Sequence, residues 1–376
     1  MKANVHRLSM QHPGDVSALE ALIVSGEIRP EEIVAVIGKT EGNGGVNDFT
    51  RGYFTQSLMG MLARHLNTPA EALLHTLPCV LSGGTEGVLS PHYLVFSRGG
   101  EHPAASAAHA GPGALAIGVA FSQPVAAEEV GRAAQIRSVA EAVVSAIADA
   151  GIRSLEDVRF VQVKCPCVTI ARAQDAQRRG KAAITSDPNR SMAYARAAGA
   201  FGVGIALNEL GGSADEYETA LLADFSLHSP RASISSGVEI DRHEVIVLGN
   251  SPAWTGPLRI AHQPMADALD IGSVYKVLAE LGILADHQVR EDAAARIAGV
   301  LVKCEPDRRG RIHGQRHTML DDTDINAQRH VRGAVGGMVA SVLGDGRIFV
   351  SGGAEHQGPD GGGLLAVIAA AADTSS

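Results

Sequence analysis

The sequence is poor in aromatic residues and has no long apolar run. Aromatic residues make up 4% of the 376 residues. The longest uninterrupted apolar stretch is LLAVIAAAA, whereas a membrane-spanning helix needs about 20 apolar residues. The N-terminal stretch MKANVHRLSMQHPGD lacks the apolar segment of a signal peptide. These absences predict a cytoplasmic globular protein with no membrane partner.

Cysteine is also scarce, with four in the chain: Cys79, Cys165, Cys167 and Cys304. The pair Cys165-Pro-Cys167 could form half of a metal site, but no second pair and no matching histidine spacing completes one. The favoured interpretation is four reduced, buried thiols, as in proteins of a reducing compartment.

Clusters of positive charge are absent as well. The formal net charge is −9 and no block of Lys or Arg stands out, which disfavours nucleic acid or anionic lipid as a partner. The stretch IGKTEGNGGVNDFTRG, residues 37–52, has the glycines and the lysine of a phosphate loop. Its lysine precedes the glycines, however, whereas phosphate loops place lysine after them. A nucleotide-dependent transferase is therefore disfavoured, and Lys39 and Arg51 need another role.

What the chain does contain is a threefold internal repeat. Each copy begins with an apolar helix closed by glycine, in LIVSGEI, IADAGI and LAELGI, and glycine just past a helix is a common cap. A strand ending in lysine follows, in IVAVIGK, VRFVQVK and IAGVLVK. These strands place Lys39, Lys164 and Lys303 at equivalent positions.

An arginine and a serine-rich turn follow in each copy. The arginines open the predicted small-residue helices TRGYFTQSLMGML, ARAAGAFGVGIAL and VRGAVGGMVASVL. The turns are SGGTE, SSGVE and SGGAE, each with a glutamate four residues after the first serine. The equivalent residues are Arg51, Arg196 and Arg332, then Ser82, Ser235 and Ser351, then Gly83, Ser236 and Gly352.

Two segments rich in Pro, Gly and small residues, 98–113 and 249–259, are predicted to be linkers. The chain is therefore divided into three homologous units, residues 1–103, 104–252 and 253–376. Each unit mixes helices and strands, so the expected fold is α/β, with the units arranged around a pseudo-threefold axis as in a homotrimer.

Such an arrangement would bring three Lys, three Arg and three Ser-Gly turns to one pocket. Taken singly, each residue has a structural explanation: a solvated lysine, a salt-bridged arginine or an ordinary turn. Recurrence of the whole set favours function. A serine nucleophile needs a base, and no Ser-His-Asp pattern is evident, but lysine can serve when burial and nearby cations lower its pKa. Backbone N–H groups of the turns could stabilise an oxyanion.

This chemistry predicts acyl transfer on a small, planar, oxygen-rich ligand, and threefold symmetry favours a 1,3,5-trioxygenated ring amide. The alternative from another class is a non-catalytic binder of a small cyclic anion, which would need Arg and Lys but no reactive hydroxyls.

Several long motifs resemble the ring-opening cyclic amide hydrolases, the group that includes cyanuric acid hydrolase and barbiturase. The motifs are GKTEGNGGVNDFTRG, VLSGGTEGVLSPH, FVQVKCP, RHTMLDDTDIN and VSGGAEHQGPDGGG, and the resemblance covers essentially the whole chain. It implies three units around a pseudo-threefold axis, whose sheets form a barrel-like core with helices outside. It also implies hydrolytic opening of a ring amide and commonly a homotetramer.

The resemblance further implies roles for individual residues. Lys164 and Ser235 match the catalytic base and the nucleophile, and Ser236 is the adjacent rival. The turn SSG of the second unit differs from SGG in the other two, in keeping with a ring that is cut at one amide. The substrate-binding set would be Lys39, Arg51, Ser82, Gly83, Arg196, Ser236, Lys303, Arg332, Ser351 and Gly352.

Two substrates compete within this resemblance. Cyanuric acid is threefold symmetric, whereas barbituric acid replaces one ring N–H with CH2. The near-symmetry of the repeats favours cyanuric acid.

No cofactor is expected for the chemistry. A structural Mg2+ or Ca2+ is implied near the C-terminal loop, since hard cations prefer oxygen ligands. A glycine-rich loop without metal is the alternative. The implied ligands are Glu305, Ala354, Gln357, Gly358, Pro359 and Gly362.

Overall fold

Three four-stranded sheets, each formed from one stretch of chain, organise the residues that the computed structural model describes, 1–100 and 113–371. The first contains β1 (Lys2–Ser9), β2 (Ile33–Thr40), β3 (Cys79–Gly83) and β4 (His92–Gly99). The second contains β5 (Ala114–Pro124), β6 (Val158–Pro166), β7 (Ala232–Gly237) and β8 (Arg242–Ser251). The third contains β9 (Leu258–Met265), β10 (Ile297–Cys304), β13 (Phe349–Gly352) and β14 (Gly363–Ala370), with a hairpin of β11 (Arg311–Ile312) and β12 (Gln315–Arg316) inserted between β10 and β13.

Helices connect these strands in a repeating order. The first unit has α1 (Ser17–Val24), α2 (Thr50–Leu66) and α3 (Ala70–Leu73). The second has α4 (Ala133–Asp149), α5 (Ile170–Arg178), α6 (Pro188–Ala206) and α7 (Ala214–Tyr217). The third has α8 (Ile271–Glu280), α9 (Glu291–Ala294) and α10 (Ala327–Leu343). Short 3-10 turns lie at Pro30–Glu32, Leu155–Asp157 and Glu218–Ala220.

The three sheets share one topology. Their strand orders are β1-β4-β2-β3, β5-β8-β6-β7 and β9-β14-β10-β13. In each, the lysine-bearing strand pairs parallel with the serine-bearing strand on one side and antiparallel with the last strand on the other. The expected α/β fold of three repeated units is confirmed.

Glycine closes the first helix of each unit, as predicted. Gly26, Gly151 and Gly282 have φ of 79°, 62° and 64°, the left-handed conformation that glycine adopts without steric cost.

The predicted helix starts were wrong at two of the three arginines. Arg51 is the second residue of α2, but Arg196 and Arg332 lie well inside α6 and α10. The actual starts are set by capping side chains: Asp187 accepts hydrogen bonds from the N–H groups of residues 189 and 190, and Asn326 accepts one from the N–H of residue 328. All three arginines therefore project from ordered helices.

The core has a central part where the sheets meet and further clusters that pack the helices of the first and third units on their sheets. One hydrophobic cluster includes buried residues of all three sheets, among them Ile37, Val163 and Leu301. All four cysteines are buried and unpaired, in agreement with the predicted buried thiols. No helix within residues 1–100 and 113–371 has the length and apolar character that crossing a membrane requires. The predicted boundary between 103 and 104 lies outside the described residues, as do residues 372–376.

Candidate active site

The strand register places one lysine beside one serine in every unit. Lys39 pairs with Ser82, Lys164 with Ser235, and Lys303 with Ser351, each across neighbouring parallel strands. Residues paired in this way lie on the same face of the sheet. The three lysines are almost completely buried, with exposed fractions of 0%, 2% and 0%.

The three pairs differ in their hydrogen bonds. Lys303 Nζ donates to Ser351 Oγ at 2.9 Å, and Lys39 Nζ donates to Ser82 Oγ at 3.3 Å. Lys164 Nζ instead forms an ion pair of 2.7 Å with Glu239 Oε1. Among the repeat serines of the described chain, Ser235 is therefore the one whose buried Oγ has no hydrogen-bond partner.

The lysines also join neighbouring units. Lys164 Nζ donates to Leu81 O at 3.1 Å, beside the serine of the first unit. Lys303 Nζ donates to Ile234 O at 2.5 Å, beside the serine of the second. Each contact brings the lysine of one unit to the serine strand of the preceding unit, so the Lys-Ser pairs converge where the sheets meet.

The arginines form a second set of contacts between the units. Arg51 Nε donates to Glu239 Oε1 at 2.8 Å, from the first unit to the second. Arg196 Nη2 donates to Glu355 Oε1 at 2.6 Å, from the second to the third. The third contact, at 2.5 Å, joins Arg332 Nη2 to Glu86 Oε1 and returns from the third unit to the first. The contacts therefore form a closed ring, as a pseudo-threefold arrangement requires.

The three glutamates of this ring, Glu86, Glu239 and Glu355, were absent from the predicted site. Their signal was present in the sequence, since each stands four residues after a repeat serine. They also alter the expected electrostatics, because three carboxylates offset part of the positive charge of the lysines and arginines.

The prediction that the repeat serines lie in turns was wrong, because Ser82, Ser235 and Ser351 lie in β3, β7 and β13, and the loop begins only after each strand. The glycines that follow two of these serines let the arginines approach the backbone. Gly84 has a φ of +91°, and a Cβ added there would lie 2.4 Å from Arg332 Nη2. Gly353 has a φ of +71°, and its added Cβ would lie 2.5 Å from Arg196 Nε. Any side chain at these positions would displace a guanidinium, which explains the second glycine of SGG.

The residue after each repeat serine, which is also in the strand, contacts the set as well. Gly83 O and Gly352 O accept hydrogen bonds from Lys39 at 3.4 Å and Lys303 at 2.9 Å. Ser236, the rival to Ser235, donates its hydroxyl to Met192 O at 3.1 Å. Adjacent strand residues point to opposite faces, so Ser236 lies on the face away from Lys164. Every residue of the predicted binding set is thus adjacent to another member or to a ring glutamate.

Burial dominates the protonation of the lysines. It lowers the pKa of Lys303 to about 7 and that of Lys39 well below its usual value, with neighbouring arginines acting in the same direction. Burial also lowers the pKa of Lys164, although Glu239 opposes this. The cations Lys164 and Arg51 hold the pKa of Glu239 at about 2 despite its burial.

Five of the six predicted metal ligands lie in the C-terminal loop between β13 and β14, and the sixth, Glu305, directly follows β10. Within the described residues, no group of three or more His, Cys, Asp or Glu side chains is arranged to hold a metal. Glu305 is buried, and burial and nearby Glu355 raise its pKa to about 7. Arg308 donates to Glu305 at 2.8 Å, whereas the side-chain oxygen of Gln357 accepts from Ile234 N. The remaining donors are main-chain carbonyls, and those of Ala354, Pro359 and Gly362 each accept a backbone hydrogen bond. One carboxylate with carbonyl oxygens is the kind of donor set that a hard cation prefers, although these oxygens already have partners within the protein.

Comparison with known proteins shows the family of the chain. The family model described as amidohydrolase ring-opening protein matches residues 4–370. A cyanuric acid amidohydrolase from Azorhizobium caulinodans is 50% identical, over 98% of each chain. A cyclic amide hydrolase from the same organism is 46% identical, over 98% of this chain and 99% of its own. A solved structure of a cyanuric acid hydrolase superposes with a TM-score of 0.91 at 46% identity, covering 98% of this chain and 99% of the other. The chain belongs to the family of ring-opening amidohydrolases.

Proposed function

We propose that this enzyme hydrolyses cyanuric acid, with Ser235 as the nucleophile and Lys164 as its base. The observation that carries the choice of residues is the buried Ser235 Oγ, which has no internal hydrogen-bond partner and lies on the same sheet face as Lys164. A hydroxyl without an internal acceptor is free to turn toward a ligand. The substrate is supported by the relatives named as cyanuric acid amidohydrolases.

The threefold arrangement supports the same substrate. Three Lys-Ser pairs and three Arg-Glu contacts present near-identical donors around one centre. Cyanuric acid has three equivalent carbonyl edges, so each unit can bind one edge. Lys39 and Lys303 would donate to two of these edges, with Ser82 and Ser351 beside them.

Ring opening then follows the chemistry of a serine and a lysine. Neutral Lys164 takes the proton of Ser235 as Oγ bonds to a ring carbonyl carbon. The C–N bond of the ring breaks, and Lys164 passes the proton to the leaving nitrogen. Water then attacks the acyl carbon, gives a proton to Lys164, and releases the product as that proton returns to Ser235. The product would be carboxybiuret, which loses CO2 to give biuret.

A rival pair, Lys303 and Ser351, has the shorter Lys-Ser contact, 2.9 Å. In this pair Lys303 also donates to Ile234 O and Gly352 O, so three acceptors hold its amine in place. All three N–H bonds of its ammonium are thereby used, so Lys303 must give up an internal partner before it can contact a substrate edge or exchange protons as a base.

The deciding experiment measures ring opening of cyanuric acid and barbituric acid by the wild type and by Ser235→Ala, Ser82→Ala and Ser351→Ala. We expect the wild type to consume cyanuric acid, and Ser235→Ala to lose turnover while the other two mainly raise KM. A wild type that consumes neither ring would refute the hydrolase proposal. Turnover of barbituric acid alone would refute the substrate. Activity in Ser235→Ala together with its loss in Ser351→Ala would transfer the role to the third unit.

Three further proposals rest on the resemblance. A structural Mg2+ or Ca2+ would be held by Glu305 and by main-chain or side-chain oxygens of Ala354, Gln357, Gly358, Pro359 and Gly362. The protein would form a homotetramer, measurable by light scattering. It would act in the cytoplasm without nucleic acid or membrane partners.

A further inference from the structure

Each sheet carries a row of side chains that continues beyond its Lys-Ser pair. On the strand antiparallel to the lysine strand, Lys39 faces His92, Lys164 faces Glu244, and Lys303 faces Leu364. Residues directly opposite each other in an antiparallel pair lie on the same face. The second unit is therefore the one whose lysine has a carboxylate in this position.

Glu244 and Lys164 both reach the same strand of the neighbouring unit. Glu244 Oε2 accepts a hydrogen bond from Cys79 N at 3.0 Å, and Lys164 Nζ donates to Leu81 O at 3.1 Å. These backbone partners are two residues apart on β3, which is about 6.6 Å of strand. The charges of Glu244 and Lys164 act on each other's pKa, so the two side chains lie near each other, and water between them can connect them.

Glu244 also faces a cavity of about 600 Å3 between the first and second units. Thr55 and Met59 of α2 and Leu74 near α3 line one side, and Arg172 and Glu239 line the other. At the other two boundaries, Leu89 packs against Gly336, and the His356 ring lies 4.3 Å and 4.7 Å from the rings of Phe201 and Phe225. Lys164 does not itself line this cavity, so the cavity gives water room to reach Glu244 rather than the lysine.

We propose that Glu244 is a positioning and proton-relay residue for Lys164, which exchanges protons between that lysine and water in the cavity. This inference rests on the proposed role of Lys164 as base. Lys164 lies in an ion pair with Glu239, so its ammonium must lose a proton before it can activate Ser235. In the relay, an N–H bond of Lys164 breaks, the proton crosses the intervening water, and an O–H bond forms on Glu244. The ammonium and the carboxylate both become neutral.

Among the charged groups around Lys164, Glu244 is suited to this exchange. Burial raises the pKa of Glu244 to about 7, whereas the pKa of Glu239 is about 2, so Glu239 is too weak a base. The other titratable groups facing Glu244 are the Cys79 thiol and, around the cavity, Glu71, His75, Arg172, Asp241 and Arg242. Arg242 is paired with Asp241 at 2.9 Å.

The test compares Glu244→Gln, Glu244→Asp and Glu244→Ala with the wild type in steady-state hydrolysis of cyanuric acid. Gln keeps an acceptor for Cys79 N but cannot take a proton. We expect kcat to fall about 100-fold, within the range of positioned acid–base groups, with KM changed less than about twofold. Glu244→Asp should recover part of kcat. Imidazole or formate, entering through the cavity, should restore kcat of Glu244→Ala in a saturable way.

Glu71→Gln is the matched control, because Glu71 is an exposed carboxylate on the wall of the same cavity, and this variant should keep wild-type kcat. Wild-type kcat in Glu244→Gln would overturn the relay. The relay would also be overturned if the variants lost kcat, neither imidazole nor formate restored it, and their melting temperature fell. Glu244 would then be a structural acceptor for a hydrogen bond. An active wild type with an inactive Ser235→Ala supports the proposed function whatever Glu244 does. An active Ser235→Ala would refute the proposed dyad, and the relay with it.

Discussion

Replacing Glu86 with alanine tests whether the Arg-Glu ring holds the three units together. Glu86 and Arg332 have exposed fractions of 9% and 4%, and two hydrogen bonds of 2.9 Å and 2.5 Å join them across the boundary between the third and first units. Glu86→Ala leaves the guanidinium buried without its carboxylate. Breaking a buried pair in this way costs about 3–5 kcal/mol of unfolding free energy. At roughly 2 °C per kcal/mol for a large domain, the melting temperature should fall by about 6–10 °C.

The matched control is Glu280→Ala, which removes a more exposed ion pair with Arg159 at 3.2 Å. The Glu280 and Arg159 side chains are 38% and 31% exposed. Exposed pairs contribute about 0–1 kcal/mol, so this variant should lose less than about 2 °C. Both are measured by thermal unfolding at one pH and salt concentration. The double variant Glu86→Ala/Arg332→Leu should recover part of the loss, because no buried charge is then unpaired. Equal shifts for Glu86→Ala and Glu280→Ala would refute a structural role for the ring.

Three other predictions concern binding, pH and metal. Lys39→Ala and Lys303→Ala should raise KM about tenfold or more with a smaller effect on kcat, whereas Lys164→Ala should lower kcat by about 10²–10⁴. Steady-state kinetics measures both effects. A fully active Lys164→Ala variant would exclude Lys164 as the base. Burial lowers the pKa of His243 to about 3, below its unfolded value of about 6.5, so its contribution to stability is complete above pH 6.5 and is lost as the pH falls toward 3. The free energy of unfolding then falls by about 1.4 kcal/mol per pH unit. His243→Leu should therefore flatten the acid side of a plot of melting temperature against pH. An unchanged slope in this variant would contradict the prediction. For the proposed structural cation, EDTA should lower the melting temperature of the wild type, and added Mg2+ or Ca2+ should restore it. Glu305→Gln should not respond to the added cation. Elemental analysis that detects no metal in the purified wild type would contradict the proposed site.

Much of the site could be read from recurrence in the sequence. The lysine strands, the glycine helix caps and the Ser-Gly motifs repeat in one order, and the strands and caps are set by backbone preferences that a sequence displays directly. The repeat serines were predicted in turns but lie in strands, because pairing with the lysine strand extends β3, β7 and β13 over them. The helix positions of Arg196 and Arg332 were misjudged because the true N-caps, Asp187 and Asn326, lie one or two turns earlier.

What the sequence by itself determined is the set of repeated residue types and the number of units, because both are properties of linear order. Only the tertiary structure decided which unit contacts which. Arg51 meets Glu239 rather than the glutamate of its own unit, and Lys164 faces Glu244 while Lys303 faces Leu364. Those contacts depend on strand register and on the packing of separate units, and the protonation of each lysine depends on the resulting burial and neighbouring charges. Three copies that look alike in sequence thereby become different in chemistry.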